Sequence, residues 1–535
     1  MKRRLAAILA VAGLGALVAA PASAQQRYDV LIRNARVLDG KGNPWFRGDV
    51  AVAGGRIAAV GDLGDASAER VIDASGLYVA PGFIDVHSHA GPGLATRELS
   101  GARPLLAQGI TTVFVNPDGG GPVDLVQQRR DLLEHGLGVN VALMVPHGSV
   151  RRAVLGMEDR APTPEELERM KALVRRGMEA GAFGLSSGPF YAPGSYADTE
   201  ELIELAKVAS EYGGVYSSHI RDESDYTIGV VAAVDEVIRI AREARLPGVV
   251  THIKALGPRV WGYSTALVHR IERAREQGVE VYADQYPYAA SSTGLGSALL
   301  PRWAQAGGSD SLAARMDDPA TRARLRAEML ENLDRRGGAD RIQFASHPQD
   351  RSIEGKTLQE VADARGVDPI DLAMELIRAG APGIVSFNMH EADIATLMRQ
   401  PWTMTASDGT LVRMGVGVPH PRAYGTFPRK IRKYVLEEGV VDLASAIRSM
   451  TSLPASVFRL ADRGTIDVGK VADLVVFDLD RLTDRATFQE PHQLSEGVVH
   501  LLVNGRFAIE DGRFVEDGLH GQVLTRRPQS SELTP

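Results

Sequence analysis

The chain contains 535 residues, and its 60 Lys and Arg against 67 Asp and Glu give a net charge of -7. This length exceeds one ordinary domain. The composition, 44% hydrophobic and 24% charged, is typical of a globular protein. The sequence contains no run of basic residues of the kind that would indicate a nucleic-acid partner. The complete lack of cysteine excludes disulfides, thiolate metal ligands and a cysteine nucleophile.

The first 24 residues have the pattern of a secretion signal. Cationic residues from Lys2 to Arg4 precede an uncharged apolar run over residues 5–20, and Ala22 to Ala24 offer small residues to a signal peptidase. The alternative, a membrane anchor, needs about 20 apolar residues, which is more than this run provides. We therefore expect an exported protein, periplasmic where the source has two membranes, with no membrane-spanning segment after signal removal.

Both ends of the mature chain contain short segments of alternating hydrophobicity separated by glycine-rich turns. These segments predict strands at residues 28–38, 49–52, 56–61 and 70–73, and again at 472–478, 498–504 and 513–515. We expect the two ends, residues 25–78 and 456–525, to pair into one small β-sandwich domain, with a tail over 526–535. The alternative is two unrelated β appendages.

Between residues 79 and 455, strand-like and helix-like segments alternate. The candidate strands are residues 77–86, 110–115, 139–145, 182–187, 214–218, 248–253, 279–284 and 403–407. Repeated strand–helix units indicate a parallel sheet, and eight of them predict a closed (β/α)8 barrel of the TIM type. A mostly helical insertion, about residues 289–400, separates the last two strands. We expect it to cover one face of the barrel.

Histidine and aspartate residues follow the predicted strands, where such barrels carry their chemistry. His87 and His89 end the first strand and, being two residues apart, point to the same side, where both imidazoles can reach one metal ion. The second, fifth, sixth and eighth strands end in Asp118, His219, His252 and Asp408. Alone, each fits a core histidine or a capping aspartate. Together, they predict a metal site.

Six groups of residues near these strand ends, and one near the C-terminus, share a further pattern. They are APGFIDVHSH (80–89), SHIRDE (218–223), THIKA (251–255), DQYPY (284–288), SDG (407–409), HPR with GTFPR (420–422 and 425–429), and the stretch 464–478. Together they resemble the amidohydrolase superfamily and, within it, the D-aminoacylase (N-acyl-D-amino-acid deacylase) family. The resemblance extends from about residue 28 to about residue 525 and is more specific for the family than for the substrate.

The resemblance implies hydrolysis of the amide bond of N-acyl-D-amino acids by metal-activated water, releasing a carboxylic acid and a D-amino acid. His219 and His252 would hold a tightly bound zinc ion, and His87 with His89 would form a second, weaker metal position. Asp408 would be the general base, which takes a proton from the water and passes it to the leaving amine. The preference for the D configuration comes from the resemblance alone.

Cationic groups near the strand ends are candidates for binding the substrate carboxylate. The resemblance implies that Lys254, Tyr286 and Arg422 hold the α-carboxylate, and arginine suits bidentate binding of that group. Arg221, which also follows a strand end, is a further substrate-binding candidate. The alternative for the two arginines is a structural salt bridge to an acidic residue between 222 and 225.

The chain departs from the family at the second strand. The family usually has Asn-Cys-Gly there, with the cysteine bridging two metal positions, whereas this chain reads Asn116-Pro117-Asp118-Gly119. A carboxylate can also bridge two cations but bonds zinc less covalently than a thiolate, so the identity and number of the metal ions stay open. The alternative is a turn aspartate. No lysine follows the fourth strand (LSSGP, 185–189), which excludes the carbamylated lysine of other amidohydrolases.

Two alternative functions remain open at this stage. One is another hydrolase of the superfamily, such as a dipeptidase or a cyclic-amide hydrolase. The other is an inactive envelope-binding protein, although nothing structural requires all of the histidines and aspartates named above. In each enzymatic case the partner is a small molecule. The sequence does not determine the oligomeric state or the side-chain preference.

Overall fold

The computed structural model describes residues 27–526 of the chain. The predicted signal at residues 1–24 lies outside the described residues, as does nearly all of the predicted tail. Across the described part of the chain, no helix has both the length and the apolar character that crossing a membrane requires.

The described residues form 21 strands and 17 α-helices. The strands are β1 (Arg27–Val37), β2 (Phe46–Ala53), β3 (Arg56–Gly61), β4 (Ser67–Asp73), β5 (Tyr78–Pro81), β6 (Phe83–Asp85), β7 (Ile110–Val115), β8 (Asn140–Leu143), β9 (Val145–Pro146), β10 (Gly184–Ser187), β11 (Val215–Ser218), β12 (Gly248–Val250), β13 (Val281–Gln285), β14 (Ser291–Gly294), β15 (Ile342–Ser346), β16 (Gly383–Ser386), β17 (Thr403–Thr405), β18 (Leu474–Phe477), β19 (Val498–Val503), β20 (Arg506–Glu510) and β21 (Arg513–Phe514). The helices are α1 (Gly91–Leu94), α2 (Arg103–Leu106), α3 (Leu125–Leu133), α4 (His147–Leu155), α5 (Pro164–Glu179), α6 (Thr199–Glu211), α7 (Val230–Ala244), α8 (Ser264–Glu276), α9 (Leu295–Leu299), α10 (Ser309–Asp317), α11 (Pro319–Arg335), α12 (Leu358–Arg365), α13 (Pro369–Ala379), α14 (Glu391–Met398), α15 (Arg422–Arg429), α16 (Leu443–Met450) and α17 (Ser452–Val457), and a π-helical segment, Lys430–Glu437, continues α15.

The strands of the two chain ends pair in one nine-stranded sheet. Its order is β21-β20-β19-β18-β5-β1-β2-β3, with β4 also paired to β1. The antiparallel pair of β18 and β5 joins the C-terminal strands to the N-terminal ones, with Leu474 opposite Pro81. Alternate side chains of both ends, among them Val30, Val50 and Val476, share one apolar cluster. The predicted pairing of the two ends is therefore confirmed.

The middle of the chain forms the predicted (β/α)8 barrel. Strands β6 to β8 form one parallel sheet, and β9 to β13 with β17 form the other. β8 and β9 are separated only by Met144 and together make the third of eight barrel strands. The first and last strands meet through backbone hydrogen bonds just beyond their ends: the Asp408 amide donates to the His87 carbonyl and the His89 amide to the Gly409 carbonyl, each at 2.9 Å.

The barrel interior below the strand ends is a packed apolar core. Side chains from different strands, among them Ile84, Phe114, Val249 and Met404, form one buried cluster. The Phe114 ring lies 4.4 Å from the ring of Phe458, between centroids. Because this core excludes water, polar chemistry is confined to the loops at the carboxyl ends of the strands.

The segment predicted as one strand over residues 77–86 is divided at Gly82. β5 belongs to the terminal sheet and β6 to the barrel. A Cβ atom at residue 82 would come within 2.4 Å of the Thr111 side chain, so glycine is needed where the chain passes from one sheet to the other. The Gly82 amide donates to the Asp473 carbonyl at 2.8 Å, which ties this junction to the C-terminal strands.

The insertion between β13 and β17 has its own core. Helices α9 to α13 pack around a three-stranded antiparallel sheet in the order β14-β16-β15. Their apolar side chains form a separate cluster that includes Leu325, Phe344 and Leu372. The sequence pattern predicted the helices but not the small sheet, whose strand β14 lies beside the functional site described next.

Candidate metal centre and substrate cavity

A cavity of about 1040 Å³ lies at the carboxyl ends of the barrel strands. We call its two sides the barrel wall, made by the loops after the barrel strands, and the insertion wall, made by residues 291–294, 336 and 345–346. Five of the six predicted metal-binding and catalytic residues line the barrel wall: His89, Asp118, His219, His252 and Asp408. The strand-end residues thus converge as the barrel topology requires.

The Asp118 carboxylate lies at the centre of the histidine cluster. Its Oδ1 atom is 3.3 Å from Nε2 of His87, 3.5 Å from Nε2 of His252 and 3.9 Å from Nδ1 of His219. Its Oδ2 atom is 3.3 Å from Nε2 of His89. One carboxylate oxygen therefore faces three imidazoles and the other faces the fourth.

The cluster divides into two groups of potential ligands that share Asp118. One group contains His87, His89, Asp118 and Asp408, and the other contains Asp118, His219 and His252, with the ligand atoms of each group within 4.8 Å of one another. In the first, Oδ1 of Asp408 is 3.2 Å from Nε2 of His89. In the second, Nδ1 of His219 is 2.9 Å from Nε2 of His252.

The cluster suits a divalent metal ion because several of its buried polar atoms lack a hydrogen-bond partner. Both ring nitrogens of His87, Oδ1 of Asp118 and Nε2 of His219 are buried without a hydrogen-bond partner. Such atoms are costly to bury unless something satisfies them. Imidazole nitrogens and carboxylate oxygens that face one another at 3 to 4 Å are the donors that zinc and similar ions prefer. The residues present therefore fit one ion in each group.

The backbone at the cluster adopts a conformation that most residues avoid. The φ angles are 56° at Asp118, 36° at His252 and 50° at Asp408, all in the left-handed region. The His252 amide donates to Oδ1 of Asp284 at 2.7 Å, which helps to hold that loop. Backbone strain at three residues of one cluster is typical of functional sites.

The backbone at Asp118 packs closely against the residue that follows the fourth barrel strand, where only a glycine fits. Gly188 follows β10, and a Cβ atom there would come 2.3 Å from the Asp118 carbonyl oxygen. The Ser186 hydroxyl on the same strand accepts a hydrogen bond from the Gly119 amide at 3.3 Å. A larger residue at position 188 would displace the loop that carries the shared carboxylate.

Burial and the neighbouring carboxylates give two of the histidines opposite protonation states. Burial lowers the pKa of His219 to about 3, so its ring is neutral and offers a lone pair. Burial also disfavours the charged form of His89, but hydrogen bonds to Asp118 and Asp408 outweigh it and raise the pKa of His89 to about 10. Asp118 and Asp408 therefore bring two negative charges to the position of His89, and a cation bound there would neutralise them.

Asp408 is paired with an arginine on its far side. Its Oδ2 atom is 2.8 Å from Nη1 of Arg422. Burial raises the pKa of Asp408, but the Arg422 guanidinium and the nearby histidines outweigh that effect and hold the pKa well below its usual range. Nδ1 of His420 accepts a hydrogen bond from the Arg422 amide at 3.0 Å. Asp408 is therefore ionised at neutral pH and held in place.

Lys254 forms a second charged pair in the barrel wall. Its Nζ atom is 2.5 Å from Oε1 of Glu223 and 2.7 Å from Nδ1 of His252. Burial raises the pKa of Glu223, but Lys254 outweighs it, so the pKa of Glu223 is lowered. Lys254 thus joins Glu223 to a histidine of the cluster.

Tyr286 lies close to both predicted carboxylate-binding cations. Its ring centroid is 4.7 Å from the Arg422 guanidinium and 5.6 Å from Nζ of Lys254. Burial raises the pKa of its hydroxyl well above the usual value, so the phenol remains a hydrogen-bond donor. Three of the four predicted substrate-binding residues therefore lie together in the cavity.

Arg221 lies elsewhere. Its guanidinium donates to Glu236 at 2.8 to 3.1 Å, and it is not among the residues that line the cavity. The alternative interpretation, a structural salt bridge, describes its contacts, although the partner on α7 lies outside the acidic segment 222–225. A strand-end position alone did not indicate which way this side chain turns.

Two buried charged residues of the cavity, Glu223 and Arg336, were not predicted as site residues from the sequence. Glu223 follows His219 by four residues, inside a segment that carried the family resemblance, so its spacing was an available signal. Arg336 lies at the end of α11 in the insertion and carried no such signal. Both line the cavity.

The sequence matches a known protein family over most of its length. A family model described as the amidohydrolase family matches residues 70–509. The chain is 37% identical to an N-acyl-D-glutamate deacylase and 35% identical to a D-aminoacylase, both from Alcaligenes xylosoxydans xylosoxydans. These matches cover 90% and 94% of the chain, and 93% and 99% of the relatives.

A solved structure matches at the level of the fold and the sequence. It is the crystal structure of an N-acyl-D-glutamate deacylase from Bordetella bronchiseptica complexed with zinc and a phosphonate inhibitor. Its TM-score is 0.80 at 35% identity, and the match covers 94% of this chain and all of the other, 100%. With its barrel, its terminal sheet and the match of the family model, the chain belongs to the amidohydrolase family.

Proposed function

We propose that the protein is a zinc-dependent N-acyl-D-amino-acid deacylase, which hydrolyses the amide bond to release a carboxylic acid and a D-amino acid. The observation that carries this proposal is the pair of ligand groups sharing Asp118, with the ionised Asp408 beside them in a cavity large enough for an acylated amino acid. Relatives named for this activity are 35–37% identical over most of the chain, which supports the same conclusion.

His219, His252 and Asp118 would hold the first ion, and His87 and His89 a second one that shares Asp118. A bound divalent ion supplies a nucleophile at neutral pH by lowering the pKa of water, and it polarises the amide carbonyl.

Asp408 carries out the proton transfers in this proposal. It is ionised, so it accepts the proton of the attacking water and then donates it to the amide nitrogen as the C–N bond breaks. Arg422 keeps the carboxylate oriented through the 2.8 Å contact. No covalent bond between enzyme and substrate is required.

Lys254, Tyr286 and Arg422 are proposed to bind the α-carboxylate. Arg422 and Lys254 lie 4.7 and 5.6 Å from the centroid of the Tyr286 ring. Within residues 27–526, the only hydrogen-bond partner of the Tyr286 hydroxyl is the Met389 sulfur, at 3.6 Å. A carboxylate bound beside this hydroxyl would accept its hydrogen bond and would lie close to both cations. The L and D forms use the same metal chemistry, so the D preference rests on the relatives.

The experiment measures amine release from N-acetyl-D- and N-acetyl-L-amino acids, using the purified protein before chelation, after chelation and after zinc is restored. The proposal predicts release from the D series only, loss of activity on chelation and recovery with zinc. Equal activity on both series, or full activity after verified metal removal, would contradict it. Hydrolysis of dipeptides or cyclic amides without any activity on the acylated amino acids would replace it with another amidohydrolase reaction.

Export is also part of the proposal. The charged start and apolar run of residues 1–24 motivate it. Protein recovered from the periplasm should begin at Gln25, as determined by N-terminal sequencing. An intact N-terminus and recovery only from the cytoplasm would contradict export without affecting the proposed chemistry.

A further inference from the structure

Arg336 is a buried cation in the cavity wall. It lies one residue after α11 in the insertion, its exposed fraction is 1%, and it lines the same cavity as the histidine cluster. Among residues 27–526, no aspartate or glutamate forms an ion pair with it, and its Nε atom is buried without a hydrogen-bond partner. An unpaired buried charge is costly, and arginine cannot avoid that cost by losing its proton.

The insertion holds Arg336 against the barrel loops. A Cβ atom at Gly257, where φ is +92°, would come 1.9 Å from the Arg335 carbonyl oxygen, so glycine allows the loop after β12 to contact the end of α11. The Gly257 amide donates to the Asn388 carbonyl at 2.7 Å. The same loop carries Lys254, which lines the cavity with Arg336.

The side chains that contact Arg336 are uncharged, namely Asn388 and the Tyr226 hydroxyl. When the Asn388 amide is oriented to match its donors and acceptors, its oxygen accepts from Nη1 of Arg336 at 3.2 Å. In that orientation its nitrogen donates to Oγ of Ser291, at 3.0 Å, in the insertion wall. Asn388 therefore positions Arg336 without neutralising it.

The buried charged groups of the barrel wall already have partners. In the barrel wall, Arg422 is paired with Asp408 and Lys254 with Glu223. The buried Asp222 carboxylate accepts from the backbone amides of Ser224, Thr227 and Gly229.

A second arginine adds positive charge behind the wall. Arg302 lies over the Phe190 ring at 3.9 Å, and Phe190 lines the cavity. In the described part of the chain, Arg302 also forms no ion pair with an acid, and its Nη1 donates to the Ser297 carbonyl at 3.1 Å. The insertion side of the cavity is therefore electropositive.

We propose that Arg336 binds the side-chain carboxylate of the substrate, so that the enzyme prefers N-acyl derivatives of acidic D-amino acids, glutamate or aspartate. This inference rests on the proposed deacylase function and names the substrate class for it. The α-carboxylate is assigned to the barrel wall and the second carboxylate to the insertion wall. A guanidinium bound by two donors to a carboxylate is a strong, charge-assisted pair, and a neutral side chain would leave Arg336 unpaired.

The first test compares substrates that differ only in this charge. We expect kcat/KM for N-acetyl-D-glutamate to exceed that for N-acetyl-D-glutamine by about 100-fold or more, because a buried polar site left unpaired rejects the analogue. The aspartate and asparagine derivatives should differ in the same direction. Equal or higher kcat/KM for the neutral amides would overturn the inference while leaving the deacylase function intact. No activity on any acylated D-amino acid would instead overturn the proposed function.

The second test removes the charge. Arg336→Met should lower kcat/KM for N-acetyl-D-glutamate by about 100-fold and change that for N-acetyl-D-glutamine by less than about threefold. The matched control is Arg335→Met, which removes the neighbouring arginine paired with Asp225 and Glu331 and should leave the glutamate-to-glutamine ratio unchanged. Equal losses on both substrates would mean that Arg336 binds the α-carboxylate or acts structurally, and would contradict the proposal.

Folding does not limit this test. If Arg336→Met does not fold, Arg336→Lys keeps the charge but loses the bidentate geometry, and should lower the glutamate-to-glutamine ratio without abolishing it. In the wild-type enzyme, free D-glutamate should inhibit hydrolysis at a lower concentration than D-glutamine. Equal inhibition by the two products, together with an unchanged ratio in Arg336→Lys, would overturn the inference.

Discussion

In the barrel wall of the cavity, each of two buried cations faces a carboxylate: Arg422 lies 2.8 Å from Asp408, and Lys254 lies 2.5 Å from Glu223. In the insertion wall, Arg336 is equally buried, and within the described residues it forms no ion pair with an acid. Paired charges hold the reactive groups in a defined protonation state before substrate arrives. The unpaired charge instead discriminates between substrates, because only an anionic one satisfies it.

A third buried cation shows why the identity of the residue matters. Lys430 is 3% exposed, and its Nζ donates to the hydroxyls of Thr405 and Ser449 with no acid nearby in residues 27–526. Burial lowers the pKa of Lys430 to about 7. A lysine can thus lose its charge when buried, whereas an arginine keeps it. Arginine is therefore the residue suited to hold a charge at a buried position that has no acid as a partner.

The largest effect should come from the general base in the barrel wall. Asp408→Asn keeps the shape but cannot accept a proton, and kcat should fall by about 10²- to 10⁴-fold, measured with saturating substrate, while the metal ion of the His219 and His252 group stays bound. The matched control is Asp484→Asn, which removes an acid paired with Arg429 outside the cavity. Retention of more than about a tenth of the wild-type kcat would remove Asp408 from this role.

The next effect tests the shared ligand. Asp118→Ala should lose bound metal and lower activity by about 100-fold or more, because ligand loss exceeds the effect of second-shell changes. Asp118→Cys restores the residue usual in the family and should retain metal, as measured by elemental analysis. Asp124→Ala, which removes the N-cap of α3 nearby, serves as the control. Full metal content in Asp118→Ala would show that Asp118 is a turn residue.

A smaller effect is expected where substrate binding involves one neutral group. Tyr286→Phe removes only the hydroxyl, and KM should rise by about 10-fold, equivalent to one hydrogen bond to a charged group, with kcat nearly unchanged. Tyr288→Phe is the control, because the Tyr288 hydroxyl contacts the Pro421 carbonyl at 3.4 Å. A fall in kcat with constant KM would place Tyr286 in the chemical step instead.

The smallest effect concerns stability and the buried lysine. Between pH 7 and the ordinary lysine pKa of about 10.4, the unfolded chain binds one proton more at Lys430 than the folded protein does. The free energy of unfolding should therefore rise with pH by about 1 kcal/mol per unit in that window. Below pH 7 the full penalty applies, so Lys430→Met should be more stable than wild type there, and the difference should shrink as pH rises.

Thermal unfolding from pH 6 to pH 10 measures this difference. Lys433→Met is the matched control, since Lys433 is paired with Glu391. A constant difference in unfolding temperature between Lys430→Met and wild type across this range would contradict the assigned pKa shift.

The barrel and its histidines could be predicted from the sequence because both depend on local patterns. Strand periodicity located the barrel strands, and the barrel rule placed His87, His219 and His252 at one end. The exchange of cysteine for Asp118 was also visible in the chain. These predictions required only which strand a residue follows.

The insertion wall could not be predicted because it depends on long-range packing. Arg336 ends an amphipathic helix, where an arginine is ordinarily a solvated residue, and only its contacts with the loops around Gly257 and Asn388 bury it. Long-range packing also explains why the predicted role of Arg221 was wrong. Arg221 follows a strand end, but its ion pair with Glu236 holds the side chain outside the cavity.

The most direct test of the central claim is anomalous diffraction at the zinc edge from crystals of the zinc-loaded protein. We expect a strong peak between His219, His252 and Asp118, with a second, weaker peak toward His87 and His89 that shares the Asp118 carboxylate. A zinc-loaded crystal with no peak at this cluster, or with a peak that Asp118 does not contact, would contradict a metal centre built on this shared carboxylate.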